Sequence, residues 1–233
     1  MSDVRHSSSP QTPEGPPDGF DTGAAVTRSM LGWGVVAGPF YLVVGLILAV
    51  TREGFDFSRH PLSVLMLGDG GWMQITNLAL SGAMVLVAGI GLARAGARGA
   101  GIAVGIYGGA MILSAVFPPD PMPGFPPGQE GATEPGTSGI LHLAFGGIGF
   151  VALAVGAFLL GRWFARRGDR PFSVLSLVAG IVVLVGFLGG VALGPAGMAL
   201  LWLAVVAGFA WLAAASVRVY GTVPHPDTGR HAA

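Results

Sequence analysis

Cysteine is absent from the 233 residues and so is lysine; all 12 basic residues are arginine. Without cysteine the chain has no disulfide, no thiolate metal site and no cysteine nucleophile. Charge of either sign is scarce. Charged residues make up 10% of the sequence, with 12 basic and 12 acidic side chains and a formal net charge of zero. That balance offers no electrostatic footprint for nucleic acid as a partner. No GxSxG or HExxH motif occurs, and the glycine repeats follow no strand and precede no lysine, which excludes a phosphate loop.

What remains is apolar. Hydrophobic residues form 52% of the chain, the mean hydropathy is +0.68, and apolar runs of about 20 residues recur, the length a helix needs to cross a bilayer. The fold class expected is all-α: a polytopic membrane protein with six transmembrane helices in one bundle. Lipid offers the backbone no hydrogen-bond partner, so each span must be helical. The expected spans are 30–50, 72–93, 99–117, 139–164, 171–193 and 195–219. Residues 1–28, rich in Pro, Ser, Gly and acid, read as a disordered cytoplasmic tail. They lack a basic region followed by a short apolar core, so the first span is expected to persist in the mature protein. Residues 29–219 form the six-helix domain, and 220–233 read as a second disordered cytoplasmic tail.

Arginine placement orients the bundle. Arg28, Arg94, Arg98, Arg162, Arg166, Arg167, Arg170 and Arg218 fall on one side of a six-span chain, and Arg52 and Arg59 on the other. The positive-inside rule then puts both termini in the cytoplasm, in a bacterial plasma membrane, and the long connections 51–71 and 118–138 outside. Gly101, Gly105 and Gly109 in the third span, like Gly34 and Gly38 in the first, repeat every four residues and read as close helix-packing stripes.

The span interiors carry no Asp, Glu, Lys, Arg or His, which argues against an ion-coupled site at the midplane. Polar chemistry concentrates at the outer face. Between Phe55 and Asn77 the chain places Arg59, His60, Ser63 and Asp69, with a short helix at 60–67 that Ser58 or His60 is expected to cap and a Gly68–Gly71 turn leading to Trp72, an interface anchor. Asp120 follows the third span and His142 sits one turn inside the fourth. Two imidazoles and a carboxylate match a zinc-type ligand set with an open position. The same atoms equally suit a structural network that pins the loops. Arg59 is a candidate for a lipid phosphate or a substrate carboxylate. Arg52, Glu53 and Asp56 read as a solvated helix end with local ion pairs, and Gln74 and Asn77 as makers of interhelical hydrogen bonds.

The run from Arg59 to Gly68 (RHPLSVLMLG), then Gly71 to Gly82 (GWMQITNLALSG), Phe117 to Pro121 (FPPDP) and Gly139 to Leu143 (GILHL) resembles the family catalogued as domain of unknown function 998. The resemblance covers about residues 30–217. It implies a six-helix membrane protein of no established activity, with His60, Ser63, Asp120 and His142 on motif positions. One departure stands out: Val64 occupies a position where an acid is expected after Ser63.

Three functions follow as expectations. The first is an outer-face site built from His60, Asp120 and His142 for a lipid headgroup or another interfacial small molecule. In its catalytic form this is metal-assisted hydrolysis, with zinc activating water and Ser63 or Asp69 orienting the substrate. The second is a non-enzymatic structural or assembly protein whose polar cluster only pins the outer loops. The third is a haem-binding electron carrier with His60 and His142 as axial ligands.

Overall fold

The computed structural model describes residues 20–227. It consists of six long helices: α1 (Thr22–Thr51), α2 (Gly71–Arg94), α3 (Arg98–Val116), α4 (Thr137–Arg166), α5 (Arg170–Ala192) and α6 (Met198–Tyr220), with 3₁₀ turns at Leu62–Met66 and Gly194–Gly197. Each of the six is long and apolar enough to cross a membrane. The helices pack in chain order and α1 closes on α6, giving a ring of six. Large apolar side chains such as Val43, Ile47, Val50, Ile102, Val178 and Val185 are exposed on the outside of the ring. Helices apolar all round belong where lipid is the solvent.

The first helix starts at Thr22 rather than near Met30, so part of the stretch assigned to the N-terminal tail is helical. The cause is local: Asp21 caps the helix, its carboxylate accepting from the Ala24 N–H at 2.9 Å, and a hydropathy reading does not register such a cap. The C-terminal segment packs beside it. Arg28 donates to the Val223 carbonyl at 2.8 Å and lies over the Tyr220 ring. The remainder of both tails, 1–19 and 228–233, lies outside the described residues.

The ends of the described chain and the short connections 95–97 and 167–169 gather at one end of the bundle. There Arg94 donates to Thr27 Oγ1 at 3.0 Å, Trp163 Nε1 to the Gly96 carbonyl at 3.1 Å and Arg218 pairs with Asp169 at 2.6 Å. The two long connections occupy the opposite end, together with the short 193–197 turn between α5 and α6, which lies beside Phe57 and Ser58.

The glycine stripe of α3 holds in part: Gly101 and Gly105 lie against Gly89 of α2, and Gly109 does not. A Cβ added to Gly105 or Gly109 would meet nothing within 4 Å, although the Gly105 backbone itself lies against Gly89. Gly101 and Gly108, two turns apart, abut Gly89 and Gly82 so closely that a Cβ on either would strike the α2 backbone. A Cβ on Gly108 would lie 2.6 Å from the Gly82 carbonyl oxygen. The positions of the α2–α3 seam where neither helix has room for a Cβ therefore recur at seven residues, Gly82 and Gly89 in α2 and Gly101 and Gly108 in α3. The first-helix pair holds as read, with Gly34 and Gly38 against Ser216 and Phe209 of α6.

Candidate functional site

At the long-loop end the two connections fold onto one another as a cap. The 3₁₀ turn dips among the helices, burying Leu62, Val64, Leu65 and Met66. Arg52, at the end of α1, holds the end of that turn by donating to the Leu65 and Leu67 carbonyls at 3.2 and 2.6 Å. It is not the solvated, ion-paired residue expected. Its guanidinium also lies 5.2 Å from the centre of the Phe125 ring. Phe125, fully buried, comes from the Pro/Gly-rich second loop, where a tight turn pairs Met122 and Phe125 through two main-chain hydrogen bonds. Gly124 supplies the positive φ (+88°) that turn requires. Phe55 and His60 of the first loop pack on the same ring.

His60 is 1% exposed and joins the two loops with both nitrogens. The Asp56 N–H donates to Nδ1 at 3.0 Å, and Nε2 faces the Pro123 carbonyl at 3.0 Å. A carbonyl only accepts, so Nε2 carries the proton and Nδ1 the lone pair. Neither Ser58 nor His60 caps the short helix; its N-cap is Pro61, with no side-chain bond. Ser58 instead donates its N–H and hydroxyl to the Asp56 carboxylate. These two bonds, with Arg59 nearby, hold the Asp56 carboxyl below the usual carboxylate range.

Asp120 and His142 form a different device, a reciprocal capping of α3 and α4. Helix α4 has no cap of its own, because its N-cap residue is Gly136. Asp120, just past α3, accepts from the Gly136 N–H at 3.0 Å and sits so close over Gly139 that any side chain there would strike its carboxylate. A carboxylate at a helix N-terminus satisfies orphan amides and meets the positive end of the helix dipole. In return His142 of α4 gives its Nδ1–H to the Ser114 and Phe117 carbonyls at 3.0 and 2.8 Å. Those are orphan acceptors at the end of α3. Ser138 Oγ donates to the Pro118 carbonyl at 2.7 Å and completes the seam.

The structure thus sends His60, Asp120 and His142 to separate main-chain partners, rather than to one shared centre. Among the described residues no group of three or more His, Asp or Glu side chains is placed to hold a metal ion. Asp69 lies exposed in its turn, and Arg59 is exposed beside Asp56 at 3.6 Å. Asn77 makes the interhelical bond expected of it, to the Tyr41 carbonyl of α1 at 3.1 Å, and also donates to Gln74.

Ser63 and His142 nonetheless meet in one place. Beneath the cap, in the half of the bundle that faces it, a partly open cavity of about 120 Å³ is bounded by Pro61, Leu62 and Ser63 of the cap and by α1, α2, α3, α4 and α6. An aromatic layer lies across its inner end: Tyr41 packs on Phe209 at 5.3 Å between ring centres, Phe209 on Tyr107 at 6.2 Å and Tyr107 on Phe150 at 6.2 Å. Trp202, which also donates to the Phe57 carbonyl at 3.1 Å, lines the side. The first three turns of α4 contain no fully buried residue before Gly149, and Gly146 there leaves unfilled space where a side chain would project. The polar lining is Ser63, Ser114, His142, Tyr41 and Tyr107, with no formal charge. Sequence reasoning had no signal for the two tyrosines or for Gly146, since each looks like an ordinary span residue.

Fold and site define a class: a six-span helical membrane protein whose two long loops interlock over a small, uncharged cavity. Residues 35–218 match the family described as Protein of unknown function (DUF998), and the chain belongs to that family. It is also 45% identical over 49 residues to a UPF0756 membrane protein of Aggregatibacter aphrophilus (strain NJ8700), a match covering 20% of this chain and 33% of that one. The chain therefore spans about a third of the curated relative it matches. No solved structure matches.

Proposed function

We propose that this protein binds a small, mostly apolar molecule in the outer half of the plasma membrane, the loop cap serving as the lid of the site. The observation that carries the reading is the cavity of about 120 Å³ under the cap. An apolar cavity of comparable size accepts a benzene-sized guest, so the guest, or the part of it that enters, is one ring or a few methylenes. The arginine asymmetry puts the capped end on the extracytoplasmic side. His60, Arg52, Asp120 and His142 then serve to fix the lid and the helix ends around the space. Arg59, exposed on the lid, is positioned to meet a lipid phosphate at the rim.

Gly146→Leu tests the reading, because leucine there fills the cavity without meeting another atom at its Cβ. Wild-type and variant protein are purified in parallel and their bound small molecules compared by mass spectrometry. The expected result is a species retained by the wild type and missing from the variant. Identical inventories would overturn the proposal.

A further inference from the structure

We infer that the cavity selects a neutral guest bearing a hydroxyl group, whose O–H donates to Nε2 of His142. The inference rests on the binding reading above and adds the chemical class of the guest. It follows from the tautomer. Nδ1 of His142 lies 3.0 Å from the Ser114 carbonyl oxygen and 2.8 Å from that of Phe117. Both are acceptors only, so the proton is on Nδ1, and in the neutral ring Nε2 is a lone pair. Among the described residues Nε2 has no hydrogen-bond partner, while the side chain lines the cavity. An unpaired lone pair on the wall of a mostly apolar cavity is matched by a guest that brings a donor.

The rest of the lining narrows the class. Ser63, Tyr41 and Tyr107 are hydroxyls that adapt as donor or acceptor, Ser114 Oγ donates to the His142 carbonyl at 3.4 Å and keeps its lone pairs, and no Asp, Glu or Arg lines the space. An anionic guest would find no cation there. Arg52 is committed to the Leu65 and Leu67 carbonyls, and Arg59 stands exposed beside Asp56. A carboxylate or phosphate inside would be a desolvated, unpaired charge. A cation would find aromatic rings but no carboxylate, and Tyr41, Tyr107 and Phe209 are packed on one another as tilted pairs and not arranged as a cage around a common centre. A neutral alcohol or phenol meets every group present.

The test uses the whole protein in phosphatidylcholine nanodiscs and three probes of similar bulk: phenol, its methyl ether anisole, and tetramethylammonium. Phenol is expected to bind the wild type saturably and about tenfold more tightly than anisole, the size of one hydrogen bond, with tetramethylammonium weakest. His142→Asn keeps an N–H at the Nδ1 position for the two α3 carbonyls and removes the Nε2 acceptor. It should bind both aromatics with the tenfold preference gone. 1-Decanol carried in the bilayer, competing with phenol supplied from water, separates a lipid-borne hydroxyl from a free one. Equal wild-type affinities for phenol and anisole would overturn the hydroxyl inference and leave the binding site standing. Tighter binding of tetramethylammonium would replace it with a cation cage. Failure of every probe to bind the wild type would remove the cavity reading itself. Should His142→Asn not fold, the wild-type comparison of phenol with anisole decides alone.

Discussion

A carboxylate and an imidazole beside a membrane invite a metal, yet in this protein each completes a helix end. Asp120 takes the amide of Gly136 and His142 the carbonyls of Ser114 and Phe117. The physical demand is the same in both cases: a helix terminus leaves backbone groups unpaired, and lipid supplies no water to pair them. Asp120→Ala should therefore lower stability by about 1 kcal/mol, seen as a lower melting temperature in detergent, while Asp120→Asn, which still accepts from Gly136, should recover most of the loss. Equal loss in both variants would point to a role for the charge beyond capping. The same melts run with added zinc address the shared-ligand expectation. Zinc should leave the melting temperature unchanged, and a rise by mass action would restore a metal to the account.

At the scale of the helix, glycine content says less than glycine direction. Four-residue repeats in α3 suggest a single small-residue face, but a helix turns 3.6 residues, so a fourfold repeat drifts while a sevenfold one returns almost to the same side. The positions with no room for a side chain on either helix are sevenfold, Gly101 and Gly108 on Gly89 and Gly82, while Gly105 touches Gly89 only through its backbone and aims its own side-chain position at open space. Gly101→Ala should thus force α2 and α3 apart at a cost of about 1–3 kcal/mol. Gly105→Ala, whose Cβ meets nothing within 4 Å, should be neutral or slightly stabilising, since it removes glycine's helix penalty of roughly 0.5–1 kcal/mol. Parallel thermal melts compare them, and the reverse order would refute the seam. The cap follows the same logic of direction. Arg52 looked like a charged helix end, but its partners are carbonyls that only the folded loop brings within reach.

Over the whole molecule, the two sides of the bundle differ in charge and in construction. One end carries the ends of the described chain, the turns 95–97 and 167–169 and most of the arginines; the other carries the interlocked loops, the 193–197 turn and the cavity. The absence of cysteine makes the orientation directly testable. Single cysteines replacing Ser58 or Thr133, both exposed on the loop end, should react in intact cells with a maleimide that cannot cross the membrane. Cysteines replacing Arg166 or Pro224, exposed at the other end, should react only after the cells are opened. Inverted labelling would turn the protein over and put the cavity in the cytoplasmic leaflet.

Hydrophobic run length, arginine distribution and turn residues determined the six helices, the common side of the two long loops and a short helix between 60 and 67, though packing settled that its apolar side dips among the spans. Those features depend on local composition measured against the thickness and polarity of a membrane, and they are legible one segment at a time. The motif positions also marked His60, Ser63, Asp120 and His142 as residues with a task. Their tasks were decided by tertiary structure. Which carbonyl an imidazole faces, whether a glycine's missing side chain leaves a seam or a void, and that Phe125 of a proline-rich loop becomes the buried centre of the cap all depend on contacts between segments far apart in the chain. A cavity is the extreme case: it is the space that five helices and a loop fail to fill, and no single residue encodes it.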